Sequence, residues 1–253
     1  MTYVTRIRDA LFGVYALIVF TFCILFGLCA ALLVPGTDRR ARWLAGAAKA
    51  MFVLSGAPVD VRGMENLPDI DCVVVANHAS YVDGFLLKGF LPARFSFVIK
   101  GEMRNIPVVH FLLRRAGSHF VERSESTASS RDARQIVKAA QNGQSLAVFP
   151  EGTFQLQPGL MRFRAGAFVA AVRGEMPIVP VVISGTRHML PSLRMLPRFS
   201  PIRVDVLPPI NPDHESFAKH RELAKLTRKR ILAVLDEPDL VGSEKNPPEA
   251  VNE

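Results

Sequence analysis

The sequence predicts an α/β fold: a mixed, mostly parallel sheet flanked by helices, behind an N-terminal apolar helix or helix pair. Three observations lead there. Short apolar runs rich in Val and Ile recur at residues 59–62, 72–76, 95–99, 146–149, 178–183 and 202–207. Stretches with helical spacing of apolar residues lie between them, at 81–90, 108–115, 131–141, 165–173 and 216–235. Strands that alternate with helices favour parallel pairing, because a crossover helix returns the chain to the same end of the sheet. The third observation is residues 11–34, which contain no charged side chain.

That charge-free run is long enough to cross a hydrocarbon core of ~30 Å as a helix. It is too long for a signal peptide, whose apolar region covers ~7–15 residues and ends at a small-residue cleavage site. Residues 43–54 form a second, shorter apolar stretch, suited to lying at the interface or folding back on the first. Arg6 and Arg8 precede the run, and Arg39, Arg40, Arg42 and Lys49 follow it. The larger basic group on the far side orients the rest of the chain toward the cytoplasm, at the inner or plasma membrane. Residues 1–56 are thus expected to be a membrane-anchoring segment and 57–236 the α/β domain. Residues 237–253, polar and proline-rich, are expected to be a disordered tail.

The run at 72–76 is continuous and β-branched, as a strand buried on both faces would be. The 178–183 run carries Pro180, which is expected at a sheet edge because proline cannot donate to a ladder. Residues 124–130, mostly Ser, Thr and Ala, read as a loop that caps the helix after it.

With 31 Lys and Arg against 23 Asp and Glu, the 253-residue chain carries a formal charge of +8. A basic surface attracts polyanions, and the preceding apolar run makes an anionic lipid surface a better partner than nucleic acid. Of the three cysteines, Cys23 and Cys29 lie in the apolar run and Cys72 in a strand. None has the spacing of a metal knuckle or a disulfide framework. No glycine-rich nucleotide loop appears either, so no bound cofactor and no metal are expected.

Two polar motifs follow apolar strands. Asn77-His78-Ala79-Ser80-Tyr81-Val82-Asp83 follows the 72–76 run, and of the six histidines only His78 has an aspartate five residues on. An imidazole titrates near neutrality, and a carboxylate on its far nitrogen fixes the tautomer, so His78 reads as a general base and Asp83 as the group orienting it. The same residues also suit a strand end and a helix start with no chemistry at all. Phe149-Pro150-Glu151-Gly152-Thr153 follows the 146–148 run, and if the two strands are parallel both motifs meet at one sheet edge. Gly117-Ser118-His119-Phe120-Val121-Glu122-Arg123 ends a short extended segment in an arginine, the side chain that grips phosphate with two hydrogen bonds.

In this order, Asn-His-x4-Asp, Gly-x2-Phe-Val-x-Arg, Phe-Pro-Glu-Gly-Thr and Val179-Pro180-Val181 resemble the four motif blocks of the glycerolipid acyltransferase family, the 1-acyl-glycerol-3-phosphate acyltransferases. The resemblance spans roughly residues 57–210. It implies a glycerol-3-phosphate acyltransferase-like fold and transfer of a fatty acyl group to the free sn-2 hydroxyl of 1-acyl-glycerol-3-phosphate, giving phosphatidate. The donor would be acyl-CoA or acyl-carrier protein. It further implies His78 as base, Asp83 as its partner, Glu151, Gly152 and Thr153 as acceptor contacts, and Arg123 as a phosphate contact.

One position departs from the family pattern. The third block usually reads Glu-Gly-Thr-Arg, and here Phe154 stands in the last place. A phenyl ring cannot hold phosphate, so Arg164, Arg162 or Arg187 is expected to replace that cation, or the acceptor is another lysolipid such as a lyso-ornithine lipid. Two other readings compete: a non-catalytic membrane lipid-binding protein, and a serine hydrolase, which would do without a Gly-x-Ser-x-Gly elbow.

Overall fold

The computed structural model describes residues 3–100, 105, 107–115, 117–121, 134 and 136–243. Seven strands form one sheet in the order β1-β7-β6-β2-β5-β3-β4. They are β1 (Val59–Arg62), β2 (Val73–Ala76), β3 (Ser96–Lys100), β4 (His119–Val121), β5 (Leu146–Val148), β6 (Ile178–Ser184) and β7 (Ile202–Val206). All neighbours are parallel except β6 and β7. The expected mixed, mostly parallel sheet is therefore present.

The all-apolar run at 72–76 explains its place. In β2, Val74 and Ala76 pack into the core on one face of the sheet, while Val73 and Val75 pack on the other. A period-two backbone buried on both sides needs apolar residues at every position. The first face is covered by α2 (Thr37–Ser55) and α3 (Asp83–Phe90), through Met51, Phe52, Leu86 and Leu87. The second is covered by helical residues 136–141, α5 (Gly166–Gly174) and α7 (His220–Leu232), through Ile136, Phe168 and Ile231. Helix α4 (Pro107–Arg115) leads into β4, and the short α6 (Thr186–Met189) follows β6.

Pro180 corrects one expectation, since β6 lies inside the sheet between β7 and β2. It is tolerated because the paired register with β7 begins at Val181 and ends at Val206. The Pro180 carbonyl still accepts from Leu207 N at 2.9 Å, and the missing N–H falls in the gap between this ladder and the antiparallel Ile178–Ile210 bridge.

The N-terminal apolar run forms α1 (Tyr3–Leu33), which folds against α2 as an antiparallel pair. Within its residues 7–33 an 18-residue stretch reaches a mean hydropathy of 2.8, long and apolar enough to cross a membrane. Tyr15 Oη donates to Leu54 O at 2.8 Å, and the rings of Phe26 and Trp43 lie 5.7 Å apart. The α/β domain touches α1 near both ends. Phe199 packs edge-on to Phe12 at 5.5 Å, and Arg115 Nε donates to Ala31 O at 2.8 Å. At ~1.5 Å rise per residue these contacts are ~28 Å apart along the axis. The pair therefore lies along the domain and does not project from it. Leu11, Val14, Ile18, Phe22 and Leu25 form an exposed apolar stripe on its outer side.

The expected disordered tail is also corrected in part. Residues 237–243 pack back on the domain and end in α8 (Leu240–Ser243), with Glu237 paired to Arg187 and Asp239 to Arg228. Residues 244–253 lie outside the described residues, as does the 124–130 loop.

Candidate functional site

The parallel pairing of β2 with β5, Val75 opposite Val148, brings the two strand-end motifs to one edge. Asn77, buried at the end of β2, clamps that edge to β6: its Nδ2 donates to Ile183 O at 2.9 Å and its Oδ1 accepts from Ile183 N at 2.7 Å. His78 follows in the loop and Asp83 opens α3, where the helix N-terminus favours a carboxylate.

His78 Nδ1 and Asp83 Oδ2 lie 2.9 Å apart. The same oxygen accepts from Ala79 N at 2.7 Å and Ser80 N at 2.8 Å, and Asp83 is fully buried. An oxygen with this set of donors is an acceptor for Nδ1–H, which leaves Nε2 as the imidazole's lone-pair nitrogen. The ring keeps 18% of its surface exposed, so the base is reachable while its partner is not. Phe149 stacks on the imidazole at 4.3 Å with an interplanar angle of 18°, and Phe154 meets it edge-on at 4.5 Å. Tyr81 in turn packs against Phe154 at 4.8 Å. Ser80 Oγ donates to Leu190 O at 2.6 Å, tying the loop to the segment after α6.

Glu151 joins this centre through the backbone. Its Oε1 accepts from His78 N at 2.7 Å and its Oε2 from Met161 N at 2.8 Å. Burial pushes its carboxyl up to about 7, even though both N–H donors and the charges of His78 and Arg187 pull it down. Gly152 follows with φ +77°, a left-handed turn that glycine adopts without strain. Thr153 is exposed beside it.

His78, Asp83, Glu151, Gly152 and Thr153 come together. Arg164 does so at the rim: it is exposed, its N donates to Pro150 O at 2.9 Å, and its Nε lies 3.5 Å from Glu151 O. Arg162 is exposed nearby, whereas Arg187 is spent on Glu237 and offers no free guanidinium. Arg123 lies outside the described residues. The backbone role of Glu151, the packing of Phe149, Phe154 and Tyr81 about the imidazole, and the pairing of Glu237 were not anticipated. Only the rings had a local signal, since Phe149, Phe154 and Tyr81 sit inside the motifs themselves. Among the described residues no group of three or more His, Cys, Asp or Glu side chains gathers as a metal site.

A base held by a buried carboxylate, open on its far nitrogen and walled by rings, can take a proton from a hydroxyl in a low-dielectric setting. Residues 58–184 match the acyltransferase family model. The chain is 28% identical over 245 residues to the 1-acyl-sn-glycerol-3-phosphate acyltransferase of Saccharomyces cerevisiae, covering 94% of this chain and 80% of that one. It is 29% identical over 221 residues to the protein of the same name from Limnanthes alba, covering 85% and 78%. The crystal structure of the 1-acyl-sn-glycerophosphate (LPA) acyltransferase PlsC from Thermotoga maritima superposes with a TM-score of 0.76 at 28% identity, covering 91% of this chain and 95% of that one.

Proposed function

The chain belongs to the acyltransferase family and is an O-acyltransferase, and from that premise we propose that it acylates the sn-2 hydroxyl of lysophosphatidate, with acyl-CoA or acyl-carrier protein as donor. The observation that carries the mechanism is the His78–Asp83 pair at 2.9 Å with Nε2 left for substrate. His78 Nε2 takes the proton of the acceptor hydroxyl as its oxygen attacks the thioester carbonyl. The tetrahedral intermediate collapses with loss of the thiolate, which recovers the proton from His78. Asp83 holds the imidazolium through this cycle, and no covalent acyl-enzyme forms.

Lysophosphatidate is the acceptor named for the relatives, and exposed cations at the rim suit its phosphate. We assign that contact to Arg164, exposed at the rim with Thr153 and the Gly152 turn beside it, and Arg123 to the same phosphate from its motif. The exposed stripe on α1 suits contact with a lipid surface, the source of the acceptor, and the basic residues after the apolar run support a catalytic edge on the cytoplasmic side of the inner or plasma membrane.

Phe154 favours a second acceptor. Its ring, packed on His78 and Tyr81, makes one wall of the site apolar, which suits a lysolipid whose head group makes fewer demands on cations, such as a lyso-ornithine lipid. The test is thiol release by detergent-purified protein, with each donor class and a panel of lysolipids. Release with lysophosphatidate and its loss in His78→Ala support the proposal. No release with either donor refutes it, release with another lysolipid alone selects the second acceptor, and activity retained by His78→Ala removes the base. Free fatty acid formed without acceptor would reveal a hydrolase.

A further inference from the structure

Beyond α7 the chain returns to the catalytic edge. Glu237 receives two hydrogen bonds from Arg187, Nε to Oε1 at 2.8 Å and Nη2 to Oε2 at 2.9 Å, and both side chains are largely buried. The same Oε2 accepts from Gly159 N at 2.7 Å, while Arg187 Nη1 donates to Gln155 O. Residues 155 and 159 belong to the loop that follows the Glu151 motif. The Arg187–Glu237 pair therefore ties both of them to the start of α6.

The clamp continues one residue at a time. Leu160 N donates to Pro238 O at 2.9 Å, Leu240 N donates to Leu160 O at 3.2 Å, and Leu160 forms a parallel bridge with Asp239. Arg228 Nη1 holds Asp239 Oδ2 at 2.8 Å and Nη2 reaches Leu160 O at 2.7 Å. At Gly159, φ is +139° and a Cβ would meet Leu240 Cγ at 2.5 Å, so the two segments meet too closely for any side chain there. The next residue, Met161, gives its N–H to Glu151 Oε2, and Glu151 Oε1 holds His78 N.

We infer that Glu237, gripped by Arg187, is a positioning residue for the His78 centre, acting through the 155–161 loop and Glu151. The path from Glu237 to His78 runs through Gly159, Leu160, Met161 and Glu151, and each link but the peptide bonds is a hydrogen bond of 2.9 Å or less. Glu151 has two acceptor oxygens and two backbone donors, one from the loop and one from the base. If the loop is released, one oxygen loses its donor and the His78 backbone is held by a carboxylate free to turn. Supports of this kind are worth about 10–100-fold in rate when removed, because misplacement of a reacting group by ~1 Å suffices. The inference rests on the acyl-transfer reading of His78.

The test uses the full chain in detergent, with kcat and acceptor KM from thiol release. In Glu237→Gln the side chain keeps one acceptor where the wild type uses two. We expect kcat to fall about tenfold with acceptor KM within about twofold, and a similar fall in Arg187→Met. The double variant should be no slower than either single, since both break one clamp. An unchanged kcat in Glu237→Gln, a loss confined to KM, additive losses in the double variant, or a lowered melting temperature with undiminished kcat would each overturn the inference. His78→Ala separates the two claims: if it is inactive while Glu237→Gln is unaffected, only the positioning role fails, and if it is active the acyl-transfer reading fails first.

Discussion

Glu151→Gln probes the catalytic edge through stability alone, independently of substrate. The folded carboxyl keeps its proton up to about 7, against 4.5 for an ordinary glutamate, mainly because it is buried. Between those values the folded state binds more protons than the unfolded one, so stability falls as pH rises. The contribution is complete below about 4.5 and gone above about 7. With these two values, proton linkage makes the wild type about 2–3 kcal/mol less stable at about pH 8 than at about pH 5 from this one group. Glutamine does not titrate, so that part of the slope disappears. Its NH2 must also face either His78 N or Met161 N, and one of these donors goes unpaired at a cost of about 1–3 kcal/mol at every pH. The variant is therefore clearly destabilised at about pH 5 and close to wild type at about pH 8. Urea unfolding in detergent, followed by far-ultraviolet circular dichroism at both pH values, measures this directly. If the gap between variant and wild type is the same at the two pH values, Glu151 does not carry a raised pKa and the account of its burial is wrong.

Two further substitutions test the base and the packing of the helix pair. Asp83→Asn keeps the size of the side chain and an oxygen for the Ala79 and Ser80 amides but no longer fixes the His78 tautomer; kcat should fall about 10³–10⁴-fold with unchanged circular dichroism, and a loss under tenfold would show that the pair does not serve the base. Gly89→Val should cost about 1–3 kcal/mol in urea unfolding, because a Cβ at Gly89 would meet Lys49 N at 2.6 Å and Lys49 Cα at 2.8 Å, where α3 crosses α2. Gly84→Ala in the same helix, whose Cβ meets nothing within 4 Å, is the control and should be neutral or slightly stabilising; equal losses at both sites would refute the close-approach argument.

What the sequence made legible follows from range. β2 and β5 were readable because strands buried on both faces must be apolar throughout, and that pattern is local. His78 and Asp83 were readable because five residues span one turn between a strand end and a helix start. The meeting of His78 with Glu151 required only that two strands be parallel. What the pair does was hidden, since Glu151 acts on the backbone N–H of His78 and any residue has that group. Arg187 looked like a spare phosphate ligand because its partner, Glu237, lies 50 residues away in a stretch whose polarity and prolines imitate a disordered tail. Composition reports whether a segment can build its own core; it does not report whether one carboxylate in it completes a distant one. Pro180 misled for a similar reason: the rule placing proline at edges concerns a missing donor, and that donor is equally dispensable where a neighbouring strand stops.

The polar contacts of the site divide into two kinds, and the division bears on how the base is held. Asn77 to Ile183, Glu151 to His78 N, Asp83 to Ala79 N and Ser80 N, and Ser80 Oγ to Leu190 O all fix the backbone of the 77–80 loop. Among the described residues the imidazole has one polar partner, Asp83, and is otherwise held by rings. A ring stacked on Phe149 can gain and lose a proton without exchanging hydrogen bonds on its faces, so protonation disturbs little beyond the Asp83 contact. Were the ring fixed by further donors or acceptors, each proton transfer would break one of them. Apolar walls around a tied backbone therefore suit the proton transfer proposed for His78, whichever head group Phe154 faces.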